Sequence, residues 1–215
     1  MSARLYLVRH GQTPSNVAGA LDTALPGAPL TELGREQARI VGEELAQEGV
    51  APSVLLSSEA SRARETAGLM SEYFRLGDDP MPTQAVPGAF EVQAGDYEMR
   101  TGAEALLAYN RVVRDWLEDG DLTSSLPGGE SALDVQDRVM PLVSELRDSF
   151  LDNGTDVVLV VHGTLMRMVA VFAGAVPSHW ALVNRIPNCG VIELAPDRGG
   201  WSCERWGDHQ GRPTF

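Results

Sequence analysis

Two short hydrophobic runs near opposite ends of the 215-residue chain are each followed by the dipeptide His-Gly. The first run covers residues 5–8 and leads to His10-Gly11, and the second covers residues 157–161 and leads to His162-Gly163. Runs of this length, rich in β-branched and aliphatic residues and ended by glycine, are typical of strands buried in a parallel sheet. Because ligands bind beyond the carboxyl ends of such strands, the pattern predicts two imidazoles at one site.

Strand-like and helix-like patterns alternate through the first and last thirds of the chain. The spacing of apolar residues and the positions of Gly and Pro predict helices at about 31–48, 62–74, 104–118, from 130 or 131 to 151, and 165–173, further strands at about 52–56, 83–86, 189–195 and 201–206, and irregular segments at 19–29 and 90–102. This alternation predicts a three-layer α/β/α sandwich with a mostly parallel central sheet. The length suits a single domain over residues 1–215.

The amino-acid composition of the chain argues against several classes of partner and chemistry. The formal net charge is −13, which argues against nucleic acid or a membrane as the main partner but permits a local arginine pocket for phosphate. All 17 basic residues are arginine, which excludes a Walker A lysine and a Schiff-base lysine. Cys189 and Cys203 lack metal-ligand spacing and are expected to be reduced. An early first strand and the absence of a membrane-length apolar run predict a cytoplasmic protein.

The segments around the two His-Gly pairs carry the candidate chemistry. A His-Gly turn after a strand places an imidazole beside the N–H groups of the next helix, where anions bind, although His10 alone is more often a structural histidine. The second His-Gly favours a shared site, for which zinc is the main alternative. His179 and His209 lack ligand-like spacing and are expected in ordinary loops, so no metal is predicted. Arg62 at a helix start can reach the same site, whereas Arg64 is expected at the surface.

Five motifs resemble those of the histidine phosphatase superfamily, in the branch that includes cofactor-dependent phosphoglycerate mutases and many small phosphatases. They cover nearly the whole chain: Arg-His-Gly-Gln-Thr-x-x-Asn at 9–16, Ser-Ser-x-x-x-Arg-Ala-x-x-Thr-Ala at 57–67, Gly-Gly-Glu-Ser at 128–131, His-Gly-x-x-x-Arg at 162–167 and Pro-Asn-Cys at 187–189. One such motif is weak evidence, whereas five in the family's order are strong evidence.

The resemblance implies a role for each motif residue, with His10 as the nucleophile that accepts the phosphoryl group. Three residues are expected to clamp that group: Arg9, Arg62 and His162. Four more are expected to bind the substrate: Asn16, Gln12, Thr13 and, through its amide, Gly163. Two guanidiniums and an imidazolium would offset the charge of a phosphate monoester, and neutral imidazole is a usable nucleophile near its ordinary pKa of about 6.5. The resemblance therefore implies neither a metal nor a cofactor.

By the same resemblance, the leaving alcohol takes its proton from a Glu in a stretch that reads Leu-x-Glu-x-x-x-Gly-x-Trp-Glu-Gly. Here Glu91 takes the acid position, and Glu98 matches the second, structural glutamate. Tyr97 replaces the family's Trp and Met99 replaces its Gly. Asp96 and Glu98 therefore remain alternative acids.

The activity that this resemblance favours is a metal-independent phosphatase. It would hydrolyse a small phosphorylated metabolite through a phosphohistidine on His10, with Glu91 as general acid and base. A phosphoglycerate mutase is one alternative, but its Glu-Arg-His-Tyr-Gly stretch is replaced at residues 91–95 by Glu-Val-Gln-Ala-Gly, and the insert that follows is shorter. A phospho-ligand binding homologue without catalysis is the other alternative.

Substrate specificity is expected to lie in a variable insert at about residues 87–128. Four side chains there are candidates for the site entrance: Tyr97, Arg100, Tyr109 and Arg114. Glu130, which follows the insert, is expected to support the site from outside the pocket. Whether the chain forms a homodimer is left open.

Overall fold

A six-stranded sheet forms the centre of the fold in the computed structural model, which describes residues 3–207 and 213–214. The strands in chain order are β1 (Leu5–Arg9), β2 (Pro52–Ser58), β3 (Arg75–Leu76), β4 (Asp79–Pro80), β5 (Thr83–Val86), β6 (Asp156–Val161), β7 (Val191–Asp197) and β8 (Gly200–Gly207). The spatial order is β5-β2-β6-β1-β7-β8, with β3 and β4 in a separate hairpin. The first four of these strands pair in parallel, whereas β7 runs antiparallel to both of its neighbours.

The helices follow the predicted periodicity closely. They are α1 (Pro14–Ala18), α2 (Glu32–Gln47), α3 (Ser61–Met70), α4 (Ala103–Arg114), α5 (Ala132–Leu146), α6 (Gly163–Phe172) and α7 (Ser178–Val183). Both α4 and α5 continue as π-helical turns, over Asp115–Asp119 and Arg147–Leu151. The β3–β4 hairpin and α7 were not predicted, because such short elements carry little periodicity. His179, expected in a loop, lies in α7, and His209 lies outside the described residues.

Two layers of helices cover the sheet, as predicted for an α/β/α sandwich. In β1, Leu5 and Leu7 pack with the core under α4 to α7, whereas Tyr6 and Val8 pack with the core under α2 and α3. Such alternation places successive side chains on opposite faces of a strand, and here both faces are apolar because both are covered. None of the helices that the structure describes is long and apolar enough to cross a membrane.

The register of β1 and β6 explains why both histidines reach one site. The two strands are parallel neighbours, and Arg9 lies opposite Val161. The next residues are His10 and His162, and the His10 N–H donates to the Val161 carbonyl at 3.0 Å. Their ring centroids are 5.2 Å apart with a 60° interplanar angle, so the predicted meeting of two imidazoles is confirmed.

Candidate active site

His10 is buried at the end of β1 with one ring nitrogen engaged by the backbone. Its Nδ1 lies 2.7 Å from the Gly11 carbonyl oxygen, so this nitrogen carries the proton and donates to that oxygen. The other nitrogen, Nε2, then holds a lone pair. Burial lowers the pKa of His10 well below 6.5, and Arg62 and Arg9 lower it further. The ring is therefore neutral at pH 7, which is the nucleophilic form.

His162 is fully buried at the end of β6 and is oriented by two side chains. The Arg62 Nε–H donates to its Nδ1 at 3.3 Å, and its Nε2 lies 2.9 Å from the Ser58 hydroxyl. Burial lowers its pKa well below 6.5, and the charge of Arg62 adds to this shift. The imidazolium expected from the sequence is thus a neutral imidazole in this structure, because burial beside a guanidinium disfavours a second positive charge.

Arg9 and Arg62 present unpaired donors at this site. Arg62 lies in the first turn of α3 and is 2% exposed. Its Nη1 lies 3.6 Å from Asp22 Oδ1, which is an ion pair but too long for a hydrogen bond. The Arg9 Nη1 donates to the Ile186 carbonyl at 2.7 Å. Arg62 Nη1 and Arg9 Nε are buried and have no hydrogen-bond acceptor among the described residues. Buried donors without acceptors are costly, so the arrangement suits an anion that would satisfy them.

The loop after His10 is fixed by its own side chains. Thr13 caps α1 by accepting from the Asn16 N–H at 3.1 Å, and Asn16 Oδ1 accepts from the Thr13 N–H in return. Asn188 binds this loop by donating to Asn16 Oδ1 and to the His10 carbonyl. The Gln12 side chain instead accepts from the Thr31 hydroxyl at the start of α2. Gln12 and Thr13 therefore brace the loop, and a substrate contact for these residues stays a prediction.

Gly163 is the first residue of α6 and lies against Arg9. A Cβ at this position would be 3.2 Å from Arg9 Nε, so glycine leaves room for the guanidinium beside the helix. The first N–H groups of a helix have no acceptor within the helix, and they point along its axis towards an approaching anion. The position therefore suits the anion-binding amide expected from the sequence.

Glu91 reaches the same helix start from the irregular segment before α4. Its carboxylate accepts from the Thr164 and Leu165 N–H groups, each at 3.0 Å, and from its neighbour Val92. Burial lowers the pKa of Arg9 and the charge of Glu91 opposes this shift, so the two groups interact across the site. Among the three candidate acids, Glu91 is thus the one whose carboxylate is bound at the start of α6.

The other two candidate acids have different partners. Glu98 accepts from the N–H groups of Thr23 and Ala24 and from the Thr23 hydroxyl, which fixes the loop before α2. Asp96 is exposed and lies beside Gly128. These contacts agree with a structural role for Glu98.

Glu130 and Arg138 hold the Glu91 segment in place. They form a two-point ion pair at 2.7 and 2.9 Å. Arg138 also donates to the Gly88 carbonyl at 2.7 Å and stacks 3.9 Å from the Phe90 ring centre, while Glu130 accepts from the Gln93 N–H at 2.9 Å. Glu130 therefore supports the site from outside, as expected. Arg138 was missed, because an arginine in a helix carries no sequence signal of such a contact.

Asp22 is a further residue at the site that the sequence did not identify, whereas Tyr109 was a candidate for the site entrance. Asp22 accepts from the Ser15 hydroxyl at 2.7 Å and from the Ala28 N–H at 3.0 Å, and its other oxygen faces Arg62. Tyr109 donates to the Val92 carbonyl at 3.2 Å, and burial with the charge of Glu91 raises its pKa well above 10. Asp22 lies in a Gly- and Pro-rich loop, where acidic residues are common. Only its contact with Arg62 in the folded structure identifies it as a site residue.

Comparisons with known proteins agree with this geometry. The sequence model of the histidine phosphatase superfamily (branch 1) matches residues 5–209. A glucosyl-3-phosphoglycerate phosphatase of Mycolicibacterium vanbaalenii is 33% identical over 220 residues, covering 94% of this chain and 91% of that protein. An adenosylcobalamin/alpha-ribazole phosphatase of Escherichia coli is 31% identical over 201 residues, covering 93% and 88%. The structure of a mycobacterial glucosyl-3-phosphoglycerate phosphatase complexed with VO3 superposes with a TM-score of 0.79 at 30% identity, covering 97% of this chain and 100% of that one.

Proposed function

The chain belongs to the histidine phosphatase superfamily, and we propose that it is a metal-independent phosphatase that hydrolyses a small phosphate monoester through a phosphohistidine on His10. One observation carries the proposal: a neutral imidazole lies among buried guanidinium donors that lack acceptors. A phosphoryl group is an anion that can accept from those donors while its phosphorus meets a nitrogen lone pair. Relatives of this chain are named as phosphatases, which makes phosphoric monoester hydrolysis the reaction class.

In the first step, the His10 Nε2 lone pair forms a bond to phosphorus and the ester P–O bond breaks. The leaving oxygen takes the electron pair of that bond and a proton from the Glu91 carboxyl. Arg9 and Arg62 hold the nonbridging oxygens, where charge accumulates in the transition state. The Gly11 carbonyl, which accepts from Nδ1, stabilises the positive charge that the phosphorylated ring acquires.

In the second step, water hydrolyses the phosphohistidine. The Glu91 carboxylate takes a proton from water, the water oxygen bonds to phosphorus, and the P–N bond returns its electrons to His10 Nε2. Inorganic phosphate leaves, and both residues regain their starting forms. His162, hydrogen-bonded to Arg62 and Ser58, orients the Arg62 guanidinium that holds the phosphoryl group.

The substrate is a small phosphorylated metabolite whose alcohol contacts the insert at about residues 87–128. Two relatives are named as a glucosyl-3-phosphoglycerate phosphatase and an adenosylcobalamin/alpha-ribazole phosphatase, so relatives of similar identity are named for different substrates. The formal net charge of −13 supports the further proposal that neither nucleic acid nor membrane is a partner. We also propose that the protein is located in the cytoplasm.

Replacing His10 tests the function directly. We expect His10→Ala to lower the release of phosphate from 4-nitrophenyl phosphate by about 10⁴-fold or more, since the nucleophile is lost. Acid-quenched wild-type protein should carry an acid-labile phosphoryl group that the variant lacks. Undiminished turnover in His10→Ala would contradict the proposal, and a wild-type protein inactive on all phosphate esters would favour the binding homologue. Interconversion of 2- and 3-phosphoglycerate without phosphate release would favour the mutase.

Glu91→Gln tests the acid. Because 4-nitrophenol leaves without much protonation, kcat/KM for 4-nitrophenyl phosphate should fall little, whereas that for an alkyl phosphate should fall about 10²- to 10³-fold. Slow hydrolysis of the phosphohistidine should also produce a burst of 4-nitrophenol. Equal losses for both esters would remove Glu91 from the acid role, and the same measurement on Asp96→Asn and Glu98→Gln would examine the two alternatives.

A further inference from the structure

A groove of about 490 Å³ lies between α4 and α7. Its charged and polar lining is mostly basic, from Asn110, Arg114, Arg167, His179 and Arg185, with Glu118 as its one acidic residue among those described. Arg114 and Glu118 pair with each other at 3.6 Å, one turn apart on the exposed side of the helix. The groove thus concentrates positive charge in a chain whose net charge is −13.

Two of the groove arginines have no carboxylate partner. Arg167 is 7% exposed, and its described hydrogen bonds go to the carbonyls of Gly163 at 3.0 Å and Ala181 at 3.1 Å. Arg185 is exposed and donates to the neutral Asn110 side chain at 2.9 Å. No described carboxylate forms an ion pair with either residue. Such guanidiniums, fixed in place without a carboxylate in contact, are suited to bind an anion.

Two hydrogen bonds connect the residues around the groove with the proposed phosphoryl site. Arg9 donates to the Ile186 carbonyl, in the residue next to Arg185, and Arg167 donates to the Gly163 carbonyl at the start of α6. Burial lowers the pKa of both Arg9 and Arg167, and the charge of Arg185 lowers each of them further, so the three guanidiniums repel one another. Arg167 thus contacts the start of α6 and also lines the groove, which brings the groove near the phosphoryl site.

We propose that this groove binds a second anionic group, a carboxylate or a phosphate, on the alcohol part of the substrate. The inference rests on the proposed phosphatase activity and specifies the substrate class of that same site. Arg185 is the residue that makes the contact, Asn110 orients its guanidinium, and Arg167 contributes charge from beneath. The second group gains charge-assisted hydrogen bonds and relieves the repulsion among the three arginines.

Three pairs of phosphate esters that differ chiefly by one anionic group test the proposal. Glycerol 3-phosphate with 3-phosphoglycerate and glucose 6-phosphate with 6-phosphogluconate compare an added carboxylate at two chain lengths, and fructose 6-phosphate with fructose 1,6-bisphosphate adds a phosphate. The wild-type protein should prefer the more anionic member of at least one pair by about tenfold or more in kcat/KM, as one charge-assisted hydrogen bond provides. The pair that shows the preference identifies the anionic group.

Two variants assign the preference to the groove. Arg185→Ala should abolish most of it, chiefly through a higher KM for the anionic ester, and Arg185→Lys should keep part of it. Arg75→Ala, which removes an exposed arginine in the β3–β4 hairpin, is the matched control and should retain it.

A wild-type protein without preference in any pair, an Arg185→Ala variant that keeps the preference, or an Arg75→Ala variant that loses it would each overturn the inference and leave the phosphatase proposal standing. A wild-type protein that releases no phosphate from any ester, including 4-nitrophenyl phosphate, would overturn both.

Discussion

The two halves of the candidate site are positioned by different kinds of structure. The half that would bind the phosphoryl group consists of residues at strand ends and helix starts, and the β1–β6 register brings His10 and His162 together. The half that carries Glu91 lies in an irregular segment, held by ion pairs and hydrogen bonds from Glu130 and Arg138. A backbone ladder tolerates side-chain changes around it, whereas a side-chain network fails when one member is lost. The two halves should therefore respond differently to substitution.

The largest effect is expected in the phosphoryl half, for any leaving group. Arg62→Ala should lower kcat/KM for both alkyl and aryl phosphates by about 10³-fold, because the transition-state charge loses a buried guanidinium. Arg64→Ala is the matched control, since Arg64 lies two residues along α3 and is exposed. It should leave both rates unchanged. If Arg62→Ala lowered kcat/KM for alkyl phosphates alone, the two halves of the site would not respond differently to substitution.

A smaller and selective effect is expected from the network behind Glu91. Arg138→Met should lower kcat/KM for an alkyl phosphate by about tenfold while the aryl rate changes less, because a displaced carboxyl is a poorer acid. Arg138→Lys should recover part of the alkyl rate through its remaining charge. Equal losses on both esters would give Arg138 a general structural role.

Arg147→Met is a control for the stability cost of the Arg138 substitution. Arg147 donates to the Gly200 carbonyl at 3.1 Å and stacks 5.4 Å from the Trp201 ring centre, between the end of α5 and the β7–β8 turn. This variant should lower the Tm without changing the ratio of alkyl to aryl rates. A changed ratio would show that lost stability, and not the position of Glu91, produces the Arg138 effect.

The smallest effect concerns stability and pH. The pKa values of His10 and His162 lie well below 6.5 in the folded protein, because burial and neighbouring guanidiniums oppose protonation. As pH falls below about 6.5, the two histidines become protonated in the unfolded chain but stay neutral in the folded protein. Each histidine therefore lowers the free energy of unfolding by up to about 1.4 kcal/mol per pH unit. Above that pH both histidines are neutral in the folded and the unfolded state, so no stability is lost.

Urea unfolding of the wild type and His10→Ala at pH 7.5 and pH 5.5 measures this loss. The decrease between the two pH values should be smaller in the variant, which has one buried imidazole fewer. An equal decrease in both proteins would mean that His10 titrates alike in the folded and unfolded states.

Much of the fold could be predicted because local patterns report burial directly. The strands that end at His10 and His162 were recognisable from apolar runs and glycine, and α2, α5 and α6 from the spacing of their buried residues. The phosphate-binding candidates could be predicted as well, since they follow strand ends in motifs of fixed spacing. Their protonation could not, because the neutral state of His162 depends on Arg62 and on burial that no local motif specifies.

Contacts distant in sequence lay beyond such prediction. Two such contacts are those of Asp22 with Arg62, 40 residues apart, and of Arg138 with the Gly88 carbonyl, 50 residues apart. Neither contact produces a periodic pattern in the sequence. The same holds for Arg185, whose partner Asn110 lies 75 residues earlier in the chain.

The order of residues along the chain was sufficient for the strands of the central sheet, most helices, the two paired histidines and the family of the chain, because burial and motif spacing are local properties. The assembled fold was needed to show that Glu91, and neither Asp96 nor Glu98, is bound at the start of α6, that burial lowers the pKa of both imidazoles, and that a basic groove lies between α4 and α7. Each of these depends on how close separate segments come and on how much water they exclude, and those quantities exist only once the chain has packed.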